Sequence, residues 1–253
     1  MDLAGPTVQP LSRVDHAKVE PVSLRRMSKV APFIAALLVA LGLTLAACGG
    51  DDEEPSGDGE ESSLAAESPC ETVEAPEPKE FDLDPPPAKP SAGDLTAVVD
   101  TSCGTFEIAL DTKGSPKTAA SFEYLANEGV LDGTPFHRIV PGFVIQAGDP
   151  AGTGSGPGPG YSVDEPPPDD VAYTMGVVAM AKTEAEPPGR SGSQFFVVTG
   201  ADAGLPPDFA TAGEVTEGTD VVQTIEGFGD PSSGGTGTPL DIVVINSVTI
   251  EEG

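Results

Sequence analysis

Arg138, Phe143 and Gln146 place a cation, an aromatic ring and a neutral amide within nine positions of one another. A guanidinium is permanently charged and rich in donors, and an amide can both donate and accept. With an aromatic ring beside them on a sheet surface, such groups make a place where an extended peptide could lie. The sequence around them excludes several other chemistries. His137 is the only histidine after Cys48, so neither a Ser-His triad nor a metal site has its partners. It is expected to be a packed or hydrogen-bonded structural residue. The segment Gly152–Gly160 has glycine at every second place but no Gly-Lys-Ser/Thr ending, and proline-laden sequence follows where a phosphate loop needs a helix.

The elements that carry these side chains read as strands. Pro141-Gly142 is a turn signal between two apolar runs, Phe136–Val140 and Phe143–Ala147. On a strand, residues of equal parity share a face, so Phe136 and Arg138 are expected to oppose His137 and Ile139, and Phe143 and Ile145 to oppose Val144 and Gln146. Further alternating or apolar runs lie at 95–101, 105–110, 177–181, 194–199, 210–215 and 242–250. Ser115-Pro116 reads as a cap and first-turn proline, with Ala119, Phe122, Leu125 and Ala126 at helical spacing until Gly129. A second, shorter helix runs through Asp220 to Ile225 and stops at Gly227. The stretch 182–193 is too rich in Gly and Pro to read as anything but loop, and 161–173, with Pro166-Pro167-Pro168, is also loop-like. About eight strands in hairpin-like order with two helices predict a mostly β fold: a closed eight-stranded antiparallel β-barrel capped by two helices.

The first third of the chain is different. Arg25-Arg26 and Lys29 precede an apolar run over 30–47 that closes on Leu45-Ala46-Ala47-Cys48, the order of parts in a secretory signal. Small residues just before a cysteine resemble the lipobox of bacterial lipoproteins, which implies lipidation of Cys48, with residues 1–47 as the signal and Met27 as a candidate start. A retained membrane helix is the alternative, opposed by Pro32 and by the absence of a stop-transfer charge cluster. Export by the general route or by the twin-arginine route is left open. Residues 48–93 are acidic, proline-spotted and poor in large apolar side chains, the composition of an extended, disordered tether. The folded domain is expected over 94–253, held outside the cytoplasm at a membrane.

Twelve basic and 41 acidic residues give a net charge of −29; without residues 1–47, which carry five basic and three acidic residues, it is −31. A field of that sign repels phosphate backbones, which excludes nucleic acid as a partner. Cys70 and Cys103 form an even pair outside the cytosol and read as a disulfide stapling the tether to the first hairpin, with two free thiols as the alternative.

Phe136-His137-Arg138 through Gln146-Ala147-Gly148-Asp149, then Met180-Ala181 and Gly192-Ser193-Gln194-Phe195-Phe196, resemble the signature of the cyclophilin peptidyl-prolyl cis-trans isomerases, and the similarity runs over about 95–250. The resemblance implies a catalytic set of Arg138, Gln146 and Phe143. It also implies a proline pocket of Phe143, Val144, Phe196 and Leu205, substrate-holding backbone at Ala181 and Lys182, and a pocket border at Gln194 and Phe209. Phe195, next to Phe196 on the opposite face, is expected in the core. Four positions depart from the usual family residues: Val144 for methionine, Lys182 for asparagine, Gly204 for tryptophan and Phe209 for histidine. Gly204 bears on cyclosporin affinity more than on catalysis, and Pro206-Pro207-Asp208 replaces a tighter turn.

The implied reaction is isomerisation of X-Pro bonds by a monomer that needs no cofactor and no metal and acts on unfolded or exported proline-containing polypeptides. Two other readings remain: a module of the same fold that holds proline segments without turning them over, and an acidic structural lipoprotein.

Overall fold

The structure is a computed structural model, described here for residues 68–253. The signal-like run, Cys48 and the first part of the tether lie outside the described residues. Among the described residues no helix is long and apolar enough to cross a membrane.

Strands β1 (Leu95–Thr101) and β2 (Gly104–Leu110) form the first hairpin. Helix α1 (Pro116–Asn127) follows, then β3 (Arg138–Val140) and β4 (Val144–Ala147) around the Pro141-Gly142 turn. A two-residue strand β5 (Val163–Asp164) pairs with β7 (Arg190–Ser191). Strands β6 (Val177–Met180), β8 (Phe195–Val198) and β9 (Thr211–Glu217), helix α2 (Thr219–Glu226), a 3-10 segment over Pro231–Thr236 and strand β10 (Ile245–Glu252) complete the chain.

Eight strands make one antiparallel sheet in the order β10-β1-β2-β9-β6-β8-β4-β3. It is open and curled, not the closed barrel expected, because its edge strands β3 and β10 do not pair. The end of the 3-10 segment accounts for this: Ile139 N–H on β3 donates to the carbonyl of its C-cap residue, Gly237, at 2.7 Å. The gap is spanned one step earlier in the chain, where Phe136 N–H donates to Val243 O and Ile245 N–H to Thr134 O. Pro135, which has no N–H, sits in that seam as a single bridge to Val244 and cannot extend it into a ladder.

The concave side of the sheet holds the main core. Ile139, Ile145, Val197 and Val178 are successive cross-strand partners and all are buried there. Both helices close onto the same core, α1 through Phe122 and Leu125 and α2 through Val222 and Ile225; Phe122 meets Phe195 edge-on at 5.3 Å. The cap of α1 is not the local one the sequence offered. Ser115 makes no capping bond with its side chain; the Glu165 carboxylate, 47 residues on from Thr118, accepts from the Lys117 and Thr118 amides and the Thr118 hydroxyl instead.

Two segments expected to be unstructured are ordered. The stretch 182–193 contains β7, whose Arg190 forks onto Asp164 with both nitrogens at 2.8 Å. Residues 70–93 have no regular secondary structure yet lie along the domain: Glu71 N–H donates to Ser102 O, Lys79 N–H to Pro150 O and Leu83 N–H to Pro159 O. Phe81 and Leu83 pack on the core. Composition averaged over 48–93 hides these two apolar anchors. Cys70 and Cys103 are joined in a disulfide that ties this strap to the β1–β2 turn.

Candidate active site

The strand register builds the site on the convex face of the sheet. Arg138 on β3 is opposite Gln146 on β4, Gln146 is opposite Phe196 on β8, and Phe196 is opposite Ala179 on β6. Cross-strand partners share a face, so one row carries a cation, an amide and an aromatic ring. The adjacent row places Val144 opposite Val198. Val144, Ala179, Phe196, Val198 and Tyr173 form a second buried apolar cluster, separate from the main core, while Phe195 faces inward as parity demands.

Parity fails at Phe136 and Phe143, both outside the strands proper. Phe136 precedes β3, lies in the irregular seam and is buried in the main core, so it does not share a face with Arg138. Phe143 precedes β4 and its ring joins the convex-face cluster.

A cavity of about 280 Å³ opens on this face. Arg138, Phe143, Val144, Gln146, Ala181, Lys182, Phe196, Leu205 and Phe209 line it; Gln194 does not, but its side-chain oxygen accepts from Gln146 Nε2 at 2.9 Å. Gln194 belongs to an adjoining, more polar groove of about 630 Å³ that also includes the Gly154–Ser162 loop. Gln146, Ala181 and Lys182 border both depressions.

Arg138 is held from two sides. Its Nε and Nη2 donate to the Gly235 carbonyl at 3.2 and 3.0 Å, and its Cζ lies 5.5 Å from the Phe143 ring centroid. Burial lowers its pKa, yet a guanidinium stays charged at any working pH. Among the described residues nothing engages Nη1, which is left for a ligand. One amide hydrogen of Gln146 is engaged by Gln194, leaving the other for a carbonyl oxygen. Ala181 has only its carbonyl to offer, because its N–H donates to Gln194 O at 2.8 Å. That narrows the backbone role expected there.

The remaining wall comes from the segment 203–209. Phe209 meets Phe196 edge-on at 5.5 Å, and the Lys182 ammonium lies 5.4 Å from the Phe209 centroid and 3.8 Å from Asp208. The Lys182 side chain is only 5 % exposed. Its ammonium also donates to the Thr183 and Glu186 carbonyls, so it braces the wall and does not extend into solvent. Sequence reasoning missed two contributors. Gly235 acts through a backbone carbonyl, which no side-chain pattern reports, and Tyr173 sits in a stretch read as loop.

His137 is half-buried, with both ring nitrogens shielded from solvent and neither completing a hydrogen bond among the described residues. Burial pushes its pKa down, opposed by Asp149 and the Pro135 carbonyl. Asp149 organises the adjoining loop. Burial alone would raise its pKa, but the amides of Ala151, Gly156 and Gly154 and the Thr153 hydroxyl together hold it below the usual value. Among the described residues no cluster of His, Cys, Asp and Glu could hold a metal.

Comparison with known proteins agrees with this architecture. Residues 96–250 match the family model described as cyclophilin type peptidyl-prolyl cis-trans isomerase/CLD. Peptidyl-prolyl cis-trans isomerase A of Mycobacterium tuberculosis is 36% identical over 171 residues, covering 61% of this chain and 91% of that protein. Peptidyl-prolyl cis-trans isomerase B of Streptomyces anulatus is 36% identical over 178 residues, covering 63% and 98%. The crystal structure of a Cryptosporidium parvum cyclophilin type isomerase superposes with a TM-score of 0.57 at 28% identity, covering 64% of this chain and 99% of that one. The same protein has been solved in the presence of the dipeptide Ala-Pro. With its sheet, its convex-face pocket and its matching sequence, the chain belongs to the cyclophilin-type peptidyl-prolyl cis-trans isomerases.

Proposed function

We propose that the pocket between Arg138 and Phe209 takes the prolyl ring of an extended polypeptide and lowers the barrier to rotation about the preceding peptide bond. The observation that carries this reading is the single row Arg138–Gln146–Phe196, which sets a donor-rich cation and an amide beside an apolar cup. Amide resonance gives the X-Pro bond its slow exchange. No covalent bond need form; the protein has only to bind the twisted amide better than either planar form. Twisting makes the prolyl nitrogen pyramidal and gives it a lone pair, which the free Nη1 of Arg138 is placed to stabilise. Gln146 holds the neighbouring carbonyl oxygen, and Phe143, Val144, Phe196 and Leu205 grip the ring. Gly235 and the Phe143 ring hold the guanidinium in place before substrate arrives, so little reorganisation is left for the reacting state. The solved relative studied with Ala-Pro supports a proline-containing peptide as the ligand.

The substrates we infer are unfolded or exported polypeptides, met outside the cytoplasm by a domain anchored through lipid on Cys48. The lipobox-like Leu45-Ala46-Ala47-Cys48 and the acidic stretch after it support this placement. A protease-coupled isomerisation assay on an Ala-Pro peptide tests the mechanism: Arg138→Ala lowers kcat/KM by about two orders of magnitude, and equal rates for the two proteins would refute it. Palmitate labelling tests the anchor, since label that persists in Cys48→Ser excludes it.

A further inference from the structure

Tyr173 belongs to none of the motifs that carry the family resemblance, and its side chain does not line the pocket. It is 1 % exposed, and its ring packs behind two pocket walls, 6.5 Å from the Phe196 centroid and 6.0 Å from that of Phe209. Its polar groups reach further. The phenol donates to the Phe209 carbonyl at 2.7 Å and accepts from the Phe209 N–H at 3.0 Å. The backbone carbonyl of Tyr173 accepts from the Ala203 N–H at 2.9 Å. One residue therefore fastens both ends of the segment 203–209.

That segment needs fastening. It contains Gly204 at a φ of +61°, followed by Leu205, Pro206 and Pro207, and up to Phe209 it belongs to no strand or helix. Two prolines remove two possible backbone donors, and beyond Tyr173 the backbone of the segment is tied by Gly204 N–H on the Asp202 carboxylate, Asp208 N–H on Pro206 O and Gly189 N–H on Asp208 O, none of which reaches the Phe209 backbone. Yet it delivers Leu205 and Phe209, two of the apolar walls. Lys182 braces the Phe209 ring and Asp208 but leaves the Phe209 backbone to Tyr173. Among uncharged side chains of this size only a phenol can give and take a hydrogen bond at one atom. Burial raises the phenol's pKa, so it keeps its proton.

We propose that Tyr173 is a positioning residue for isomerisation: by holding Ala203 and Phe209 it fixes the width of the proline pocket and so the preference for a five-membered ring. The proposal rests on the reading of this pocket as the prolyl site. Tyr173→Phe keeps the ring and deletes both phenol bonds.

The experiment compares the full chain and its Tyr173→Phe and Phe143→Ala variants on two tetrapeptides, one with proline and one with the six-membered pipecolic acid in its place. For Tyr173→Phe, KM for the prolyl peptide rises about three- to tenfold with kcat within about twofold, and the preference for proline over pipecolate shrinks by a similar factor. A purely structural role would lower the active fraction, and so kcat, while leaving KM and the ring preference alone; that result overturns the proposal. Phe143→Ala tells the two failures apart. If it raises KM while Tyr173→Phe moves neither KM nor ring preference, the role of Tyr173 is refuted and the pocket reading stands. If Phe143→Ala also leaves KM unchanged, the prolyl site lies elsewhere and both fall. Should Tyr173→Phe fail to fold, amide exchange in the unmodified protein decides: the Phe209 N–H is protected about 100-fold or more relative to that of Leu205, and equal exchange overturns the proposal.

Discussion

Arg138 and Gln146 are direct cross-strand partners on β3 and β4, and each is restrained by a group outside that pair: Arg138 by the Gly235 carbonyl, Gln146 by the Gln194 side chain. The strands set which residues meet, and the two outside contacts set where their polar atoms point. Arg138→Lys tests this division. A lysine keeps the charge but presents a compact ammonium that cannot grip Gly235 with two nitrogens and still offer a third in a fixed direction. We expect kcat/KM to fall at least about tenfold in a protease-coupled assay, with an unchanged far-ultraviolet spectrum. Near-wild-type activity would mean that charge alone suffices.

The pocket walls differ in what else they support. Phe196 is 4 % exposed and forms part of the convex-face cluster, whereas Leu205 is only partly buried at the edge of that cluster. Phe196→Ala is expected to cost about 3–5 kcal/mol of stability as well as substrate affinity. Leu205→Ala should raise KM while costing under about 1 kcal/mol. Urea unfolding of both variants beside steady-state kinetics separates the two, and similar stability losses would contradict the placement of Leu205 at the rim.

Much of this site was legible in the sequence because it lies on strands and motifs. Val144 and Gln146 keep the period of two on one strand, and Phe195 and Phe196 alternate on another, so parity assigns faces within each strand; the register that sets Arg138, Gln146 and Phe196 in one row is visible only in the structure. What escaped was held by backbone or by long-range contact. Gly235 contributes a carbonyl; Glu165 caps a helix 47 residues away; Phe81 and Leu83 are two apolar residues in an acidic stretch whose average predicts disorder. Closure of the sheet was misjudged for a related reason. Counting strands cannot reveal that the cap residue of a 3-10 segment, Gly237, takes the edge of β3, or that Pro135 interrupts the seam.

His137 gives the domain a pH dependence of defined sign. Burial lowers its pKa from the ordinary 6.5, so the folded chain resists a proton that the unfolded chain accepts. Its contribution to stability is complete above the ordinary value and is lost as pH falls from there through the lowered one. The charges facing it are Asp149, which opposes the shift, and Arg138, which adds to it. Urea midpoints measured between pH 8 and pH 5 should fall more steeply for the wild type than for His137→Gln. Parallel curves would show that His137 is not the group responsible.

The strap over residues 70–93 supplies the last prediction. Its disulfide joins Cys70 to Cys103 across 33 positions, and loop entropy gives such a link about 3–4 kcal/mol. Further along, Leu83 N–H donates to Pro159 O, and a Cβ on Gly160 would lie 2.7 Å from Leu83 N, so strap and groove loop approach backbone to backbone. Cys70→Ser should lower the thermal midpoint by several degrees and make it insensitive to dithiothreitol, while wild type with reductant falls to the variant's value. Gly160→Ala should act at the other end: its φ of +100° and the near contact with Leu83 both oppose a side chain. It is expected to free Phe81 and Leu83 to proteolysis with the disulfide intact. The prolyl pocket is lined by residues from elsewhere in the chain, so kcat/KM on a short Ala-Pro peptide should change less than about twofold in either variant. A large loss of activity in Gly160→Ala would show instead that the strap shapes the pocket through the Gly154–Ser162 loop.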